Sequence, residues 1–422
     1  MRHMRVKTLI VGGGVMGVSI AFELARRADA PERETVLLVE RRHLGAGSSG
    51  RSGAILRQHY RDPEVATMAR DSLRKYTSFE TRTGLGVGFH RTGVLTLCGP
   101  RAPEWTERIR ANVRMLKEHG IVTELLEADA LRALLPAIRV EDGTVAAWEP
   151  DGGFVDPNRT VQAFATLARR AGAVTQLGVE VRELRIERGK VVGASTSDGY
   201  IEAETVVIVA GPWSRALLEK AGIRLPLKVV RPENHFLGVP EWTSEPAEPV
   251  DPRTRFLALG ASEAREVPRG LHPVLIDLEL GFYARCDPDY ARSRVGRVDY
   301  DEDEELGDPD TLDETVSEEL KRWARRALAE RVPEYAERPD AGSIAAWYTL
   351  TPDAQALIGP IGSVANLFVV TGFSGHGFKL APSVGEGVAQ MLRGEPVTAF
   401  DPDFFALSRF SGGESWRGRF GL

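Results

Sequence analysis

Thr8-Leu-Ile-Val-Gly-Gly-Gly-Val-Met-Gly17, an apolar-faced helical stretch and then Val36-Leu-Leu-Val-Glu40 read as strand, glycine turn, helix and second strand. Gly12 permits the tight turn out of the strand, Gly14 lets the backbone approach a pyrophosphate, and Gly17 lets the helix pack close to the sheet. Phosphates at the start of that helix would meet free N–H groups and the positive end of its dipole. Glu40 closes the second strand, where a carboxylate accepts hydrogen bonds from ribose hydroxyls and repels a 2′-phosphate. The unit predicts an adenine dinucleotide and hence a redox enzyme.

Working outward, 422 residues exceed what one core holds, which predicts more than one domain. A hydrophobic content of 42% and a charged content of 27% are ordinary for a globular enzyme, and a net charge of -6 argues against a nucleic-acid partner. The acidic residues gather between Asp299 and Glu319, which predicts a solvated loop and helix face rather than a binding site. The longest apolar stretch, Leu9 to Leu24, is broken by glycines, Ser19 and Glu23, so no membrane span is expected. Two cysteines, Cys98 and Cys286, provide neither a disulfide framework nor a metal site, and a reducing cytoplasm is the expected setting.

After Glu40, Gly45-Ala-Gly-Ser-Ser-Gly-Arg-Ser-Gly53 offers unobstructed backbone N–H groups suited to a phosphate or a flat ring. Asp62-Pro63 marks a helix start, with Val65, Ala69, Leu73, Tyr76 and Phe79 on one face, and Asp156-Pro157 marks another running through Arg170. A further helix is expected over Trp105 to His119. Strands are expected over Glu180 to Glu187, Val191 to Thr196 and Glu202 to Ala210, the last leading into Ala210-Gly-Pro-Trp-Ser214. Leu367-Phe-Val-Val-Thr371, a glycine loop, Gly372-Phe-Ser-Gly-His-Gly-Phe-Lys379, and a helix to about Leu392 repeat the logic of the opening motif. If both loops meet one ligand, that ligand is long. FAD fits, because helix-start N–H groups would stabilise negative charge on the pyrimidine edge of a reduced flavin. Residues 394–422 read as a tail of uncertain order.

Together GGGVMG, Glu40-Arg41, SSGRSGAILRQHY, AGPWS and GFSGHGFKLAPSVGE make the chain resemble the glycine/sarcosine/D-amino-acid oxidase family of FAD-dependent oxidoreductases, and within it the sarcosine oxidase branch. The resemblance implies an α/β protein, α+β overall. A Rossmann-like FAD-binding domain (residues 1–87, 153–224 and 345–393) would be interrupted by a substrate domain on a mixed β-sheet (88–152 and 225–344). It implies that Val15, Met16, Glu40 and Arg41 meet the ADP half, beside Gly12, Gly14 and Gly17. Ser48, Ser49, Arg51 and Ser52 would follow the pyrophosphate and flavin, and Val181 would meet the adenine through its backbone. Gly211 and Trp213 at the AGPWS strand end also count as cofactor-facing, while Trp213 and Trp347 suit packing better than catalysis. Gly375, His376, Gly377, Phe378 and Lys379 would border the isoalloxazine.

In the same branch, Arg57 and Lys379 occupy the positions that bind the substrate carboxylate. Two cations on one carboxylate fix its orientation, which is what transfer of the α-hydrogen as a hydride to flavin N5 requires. His376 would tune or deprotonate the substrate amine, or hydrogen-bond the flavin or backbone. His59 and Tyr60 would line the pocket. The partner implied is a small amino acid or N-methylated amino acid, leaving as an imine that water hydrolyses; an electron carrier is a second possible partner. Two departures qualify the match. Ala346 stands where these oxidases carry a flavin-linking cysteine, which implies non-covalent FAD. No lysine lies between Lys228 and Lys321, where they place an oxygen-assisting lysine; the matching strand reads Leu278 to Arg285, and the guanidinium of Arg285 does not deprotonate. A dehydrogenase or slow oxidase is therefore expected. The alternatives are a 2-hydroxy-acid dehydrogenase, which needs a base for the hydroxyl, and a non-catalytic FAD-stabilised assembly protein.

Overall fold

The opening strand, Arg2–Val11, is the organiser of the first sheet: Leu9 and Ile10 are wholly buried, and it pairs in parallel with a strand on each side. The structure is a computed structural model, and it describes residues 2–27, 35–240, 272–300 and 303–410. In the first sheet the order is Leu357–Pro360, Leu367–Thr371, Gly199–Ile208, Arg2–Val11, Val36–Glu40 and Val174–Leu177, all parallel except the first. Chain order reverses around Arg2–Val11, since the next strand lies on one side and a much later one on the other. A crevice opens at the carboxyl ends of such neighbours, and it is where ligands bind in open α/β sheets. Two hydrophobic clusters cover the faces, one from helices Val15–Arg26, Pro63–Thr77, Pro157–Arg170 and Ala381–Leu392, the other from helix Ser214–Lys220 and the hairpin Val181–Glu187 and Lys190–Thr196.

The second sheet is mixed. Its order is Asp340–Ala345, Glu233–Gly238, Arg292–Arg297, Phe282–Asp287, Val274–Asp277, Val94–Cys98, Val145–Glu149 and Glu124–Glu127, with a parallel pair at Val274–Asp277 and Val94–Cys98. Helix Glu318–Arg331 packs on its back, where the buried guanidinium of Arg331 meets Asp277 at 2.5 Å and Glu279 at 3.0 Å. An α/β protein with a Rossmann-like unit and a mixed second sheet is thus the observed fold.

Local signals set most element starts. The Asp62 and Asp156 carboxylates cap their helices, each with proline in the first turn. The helix expected over Trp105 to His119 is present as Pro103–Glu118. Four readings are revised. The first long helix stops at Thr77, and Phe79 opens a separate short helix while staying buried. Leu278 to Gly281 form a turn, because Asp277 Oδ1 accepts from the N–H groups of Glu279 and Leu280 and Gly281 adopts φ +74; the strand begins at Phe282. Residues 394–410, read as a tail of uncertain order, are packed in place: Phe400 and Phe405 are buried, and Phe405 O accepts from Ile358 N at 3.0 Å. The rest of that stretch, 411–422, lies outside the described residues. The acidic segment is the fourth, and it belongs to the site.

Candidate active site

A cavity of about 500 Å³ runs along the carboxyl ends of the parallel strands and under the second sheet. Both glycine loops line it, Gly12 to Met16 from one and Phe373, Ser374, Gly375, Gly377 and Phe378 from the other, although they lie at opposite ends of the chain. Glu40, Arg41, Ser48, Ser49, Arg51, Ser52, Val181, Gly211 and Trp213 line it between them. Gly17 does not line it. A Cβ there would stand 1.9 Å from Gly12 O, so its absence is what lets helix Val15–Arg26 sit against the turn.

The opening loop is braced for a ligand. Glu40 Oε2 accepts from Gly13 N and Oε1 from Arg42 N, each at 2.8 Å, which fixes the carboxylate on the wall with lone pairs left for hydroxyls. Ser49 Oγ accepts from Val15 N at 3.0 Å and so ties the Gly/Ser stretch to the helix start, whose first turn carries no acidic residue. At Gly12, with φ +120, a Cβ would meet Val209 O at 2.4 Å, so backbone alone fits. A cavity lined by a helix N-terminus, a ribose-type acid and a second glycine loop suits FAD, and the residues of the opening loop would hold its ADP half.

The acidic segment is mostly exposed, as a solvated loop and helix face would be, yet it also borders this cavity, contrary to the expectation that it forms no part of a binding site. Asp308, Pro309 and Asp310 line the cavity, Asp310 pairs with Arg41 and accepts from Trp213 Nε1 at 3.1 Å, and Glu314 accepts from Arg51 at 2.6 Å. Trp213 and Trp347 lie 5.2 Å apart with Arg41 and Arg51 over their rings, forming one wall. Replacing Asp310 by Ala should speed FAD release about threefold at low salt and less at high salt, because these charges are partly exposed. Stopped-flow recovery of flavin fluorescence measures it, and release unchanged at every ionic strength would refute a closing role for Asp310.

Arg57, Lys379 and His376 converge, but none of them lines the cavity. They form a dry cluster behind Gly377 and Phe378: Lys379 Nζ donates to His376 O at 3.2 Å, and the Arg57 guanidinium sits 4.0 Å from the Tyr60 ring centre. Burial first, then Arg57, pushes the Lys379 ammonium well below the usual lysine range. His376 is likewise pushed well down, by burial and then by Lys379 and Arg57. Its Nε2 meets Ala354 O at 2.8 Å; a carbonyl only accepts, so Nε2 carries the hydrogen and the buried, unpartnered Nδ1 presents a lone pair. His59 and Tyr60, expected to line the pocket, are buried away from it, because His59 Nε2 turns to Asn112 at 3.2 Å and Tyr60 lies under Arg57.

Several residues escaped the sequence reading. Glu149, wholly buried, accepts from Gln58 N at 2.5 Å beside Arg57, and burial pushes its carboxyl up to about 7. A lone acid ending the apolar run Val145-Ala-Ala-Trp-Glu149 was a usable signal. Asn234, Tyr283 and Tyr348 line the cavity from the second sheet and its neighbour, with Tyr283 Oη donating to Asn234 at 2.5 Å; nothing in their local sequence marks them. Ala346, at the position of the missing cysteine, lines the cavity, while Cys98 and Cys286 are buried elsewhere. The cation that reaches the Gly/Ser loop from the second sheet is Arg294, whose Nη1 donates to Arg51 O at 2.7 Å, and not Arg285. Among the described residues no helix is long and apolar enough to cross a membrane.

Comparison with known proteins agrees with this architecture. The chain is 28% identical over 422 residues to a 4-methylaminobutanoate oxidase (formaldehyde-forming) of Paenarthrobacter nicotinovorans, covering 98% of this chain but only 46% of that protein, about half its length. It is 27% identical over 410 residues to the peroxisomal sarcosine oxidase of Homo sapiens, covering 95% of each. The solved L-proline dehydrogenase of P. horikoshii superposes with a TM-score of 0.82 at 25% identity, over 98% of this chain and 100% of that one. A family model described as FAD dependent oxidoreductase matches residues 7–391. With two separated glycine loops meeting in one cavity and this match over most of its length, the chain belongs to the FAD dependent oxidoreductase (DAO) family and is an enzyme that uses FAD.

Proposed function

We propose that this enzyme oxidises the C–N bond of a small amino acid or N-methylated amino acid, with FAD held non-covalently. The observation that carries the reading is the convergence of Arg57 and Lys379, from opposite ends of the chain, in one dry cluster against the terminal glycine loop. Both cations are buried beside Glu149, whose carboxyl burial pushes up to about 7, so an incoming carboxylate can compete with that acid for them. The three relatives named above agree in chemistry, since methylaminobutanoate, sarcosine and proline are all secondary amines that carry a carboxylate.

In this reading Arg57 and Lys379 hold the carboxylate and set the α-carbon in place. Tyr283, Asn234 and Tyr348 roof the site and exclude water. His376 Nδ1 accepts the proton or hydrogen bond of the amine. FAD, when bound, would supply the hydride acceptor; with the amine proton also lost, the substrate becomes an imine, which water splits into carbonyl compound and amine. Ala346 at the cavity wall supports non-covalent binding. The roof cation Arg294 cannot give up its proton, which supports electron transfer to a carrier in preference to oxygen. Anaerobic mixing with sarcosine, N-methylated amino acids, proline and D-amino acids should bleach the flavin with at least one of them, and silence with all of them would overturn the reading.

The unpartnered Nδ1 of His376 favours one second reading, oxidation of a 2-hydroxy acid. A hydroxyl needs a base more than a neutral amine does, so His376→Asn separates the two. It should lower kcat for an amine about tenfold, and by 10³-fold or more for a hydroxy acid. Rates with the two substrate types decide.

A further inference from the structure

The roof sheet holds a second buried cationic pair. Strands Phe282–Asp287 and Arg292–Arg297 are antiparallel neighbours whose register sets Arg285 directly opposite Arg294. The two are 4% and 6% exposed. Alternation along the strand puts Arg285 on the same sheet face as Tyr283, and the cross-strand pairs add Asn234 and Arg294 to that face. It is the face that roofs the cavity, which Tyr283 and Asn234 line.

Neither guanidinium is neutralised. Arg285 spends Nη1 on Cys286 O at 3.0 Å and lies 4.4 Å from the Phe154 ring centre, while Arg294 spends Nη1 on Arg51 O. Both Nε atoms are buried without a hydrogen-bond partner, and among the described residues no carboxylate pairs with either. Neighbouring arginines of the same sheet are treated differently: Arg292 is paired with Asp287 at 3.1 Å, which takes up the nearest acid. Burial and the facing Arg294 push the Arg285 guanidinium down to about 10, the mark of two like charges in a dry place. Keeping them there uncompensated costs folding free energy unless an anion joins them.

We propose that Arg285 and Arg294 form an anion subsite for a second carboxylate of the substrate, so that the enzyme selects dicarboxylic amines, such as N-methylated amino acids with an acidic side chain. This rests on the reading of C–N oxidation above. The α-carboxylate belongs to Arg57 and Lys379 on the glycine-loop side, and the distal acid reaches the roof. Two guanidinium groups carried on one sheet face, from residues opposite each other across a strand pair, match a carboxylate better than a neutral side chain.

Two probes test it on the FAD-loaded enzyme. Titration with inert glutarate and with butyrate, read as a shift of the flavin spectrum, should show glutarate binding at least about 30-fold more tightly. In Arg285→Met and Arg294→Met that preference should fall to within about threefold. With N-methylglutamate and sarcosine as reductants, the ratio of their kcat/KM values should fall on the order of 100-fold in either variant. Arg285→Lys, which keeps the charge but loses the fork, should lose about tenfold of the same ratio, and it serves if the Met variants do not fold. Equal binding of glutarate and butyrate, or ratios unmoved by these substitutions, overturn the proposal. Selective glutarate binding without reduction by any amine would support the subsite and overturn the C–N oxidation reading instead.

Discussion

Replacing Lys379 by Met lowers kcat/KM for the oxidised amine on the order of 10³-fold, about 4 kcal/mol of lost carboxylate binding, while FAD stays bound. The side chain is buried and donates to His376 O, and among the described residues no carboxylate hydrogen-bonds it; Glu149 acts on it only through space, which leaves room for a substrate carboxylate. Arg57→Met should lose a similar amount, and the double variant much less than the sum, because both act on one carboxylate. The same cluster sets a pH dependence. Glu149 is pushed up to about 7 by burial, with the Gln58 N–H and Arg57 opposing. Below that pH it is neutral and leaves the cations to the ligand; above it, its charge satisfies them. Protonation of Lys379, whose pKa is depressed, acts in the same direction. Acetate, as an inert carboxylate, should therefore bind more weakly by up to about tenfold per pH unit above 7, and Glu149→Gln should flatten the profile. Spectral titration of the FAD-loaded enzyme across that range is the measurement. A flat profile in the unsubstituted enzyme would remove Glu149 from the site, and a Lys379→Met enzyme with normal KM would remove Lys379.

Gly17→Ala should cost about 3 kcal/mol or more and leave the protein largely without FAD. The added Cβ falls 1.9 Å from Gly12 O, inside backbone that has no rotamer to escape through. Relief requires helix Val15–Arg26 to move off the turn. Its N-terminus then shifts away from the cavity, and the Val15 N–H loses Ser49 Oγ. Gly84→Ala is the control. No atom lies within 4 Å of a Cβ there, so its only penalty is the φ of +71. Urea unfolding and the ratio of flavin to protein absorbance read the two effects. A Gly17→Ala protein that unfolds within ~1 kcal/mol of the parent and carries full FAD would refute the close-packing account.

The readings that survived contact with the structure were those in which one residue does one local job. Asp62 and Asp156 cap helices through their own carboxylates, and Gly12 takes a backbone angle closed to other residues. Such signals are short-range and are written in consecutive residues. The failures were of another kind. The part of the acidic segment in the site is not visible locally, because its charge faces nothing nearby in sequence and the arginines it meets, Arg41 and Arg51, precede it by most of the chain. The strand expected from Leu278 begins only at Phe282, because Asp277 nucleates a turn ahead of it, and Arg294, on a strand that no local signal links to this one, faces Arg285 across the pair.

By itself, then, the sequence determined the dinucleotide fold, the FAD cofactor and the membership of a flavoenzyme family, because turn glycines, strand ends and a ribose acid must stand in fixed order close together. Only the tertiary structure decided that Glu149 sits under the Arg57 and Lys379 pair, that Asp310 closes the cavity, and that Arg285 faces Arg294 across two strands. Those are charge relations between distant segments. Their energy depends on distance and burial, and neither exists until the chain has folded.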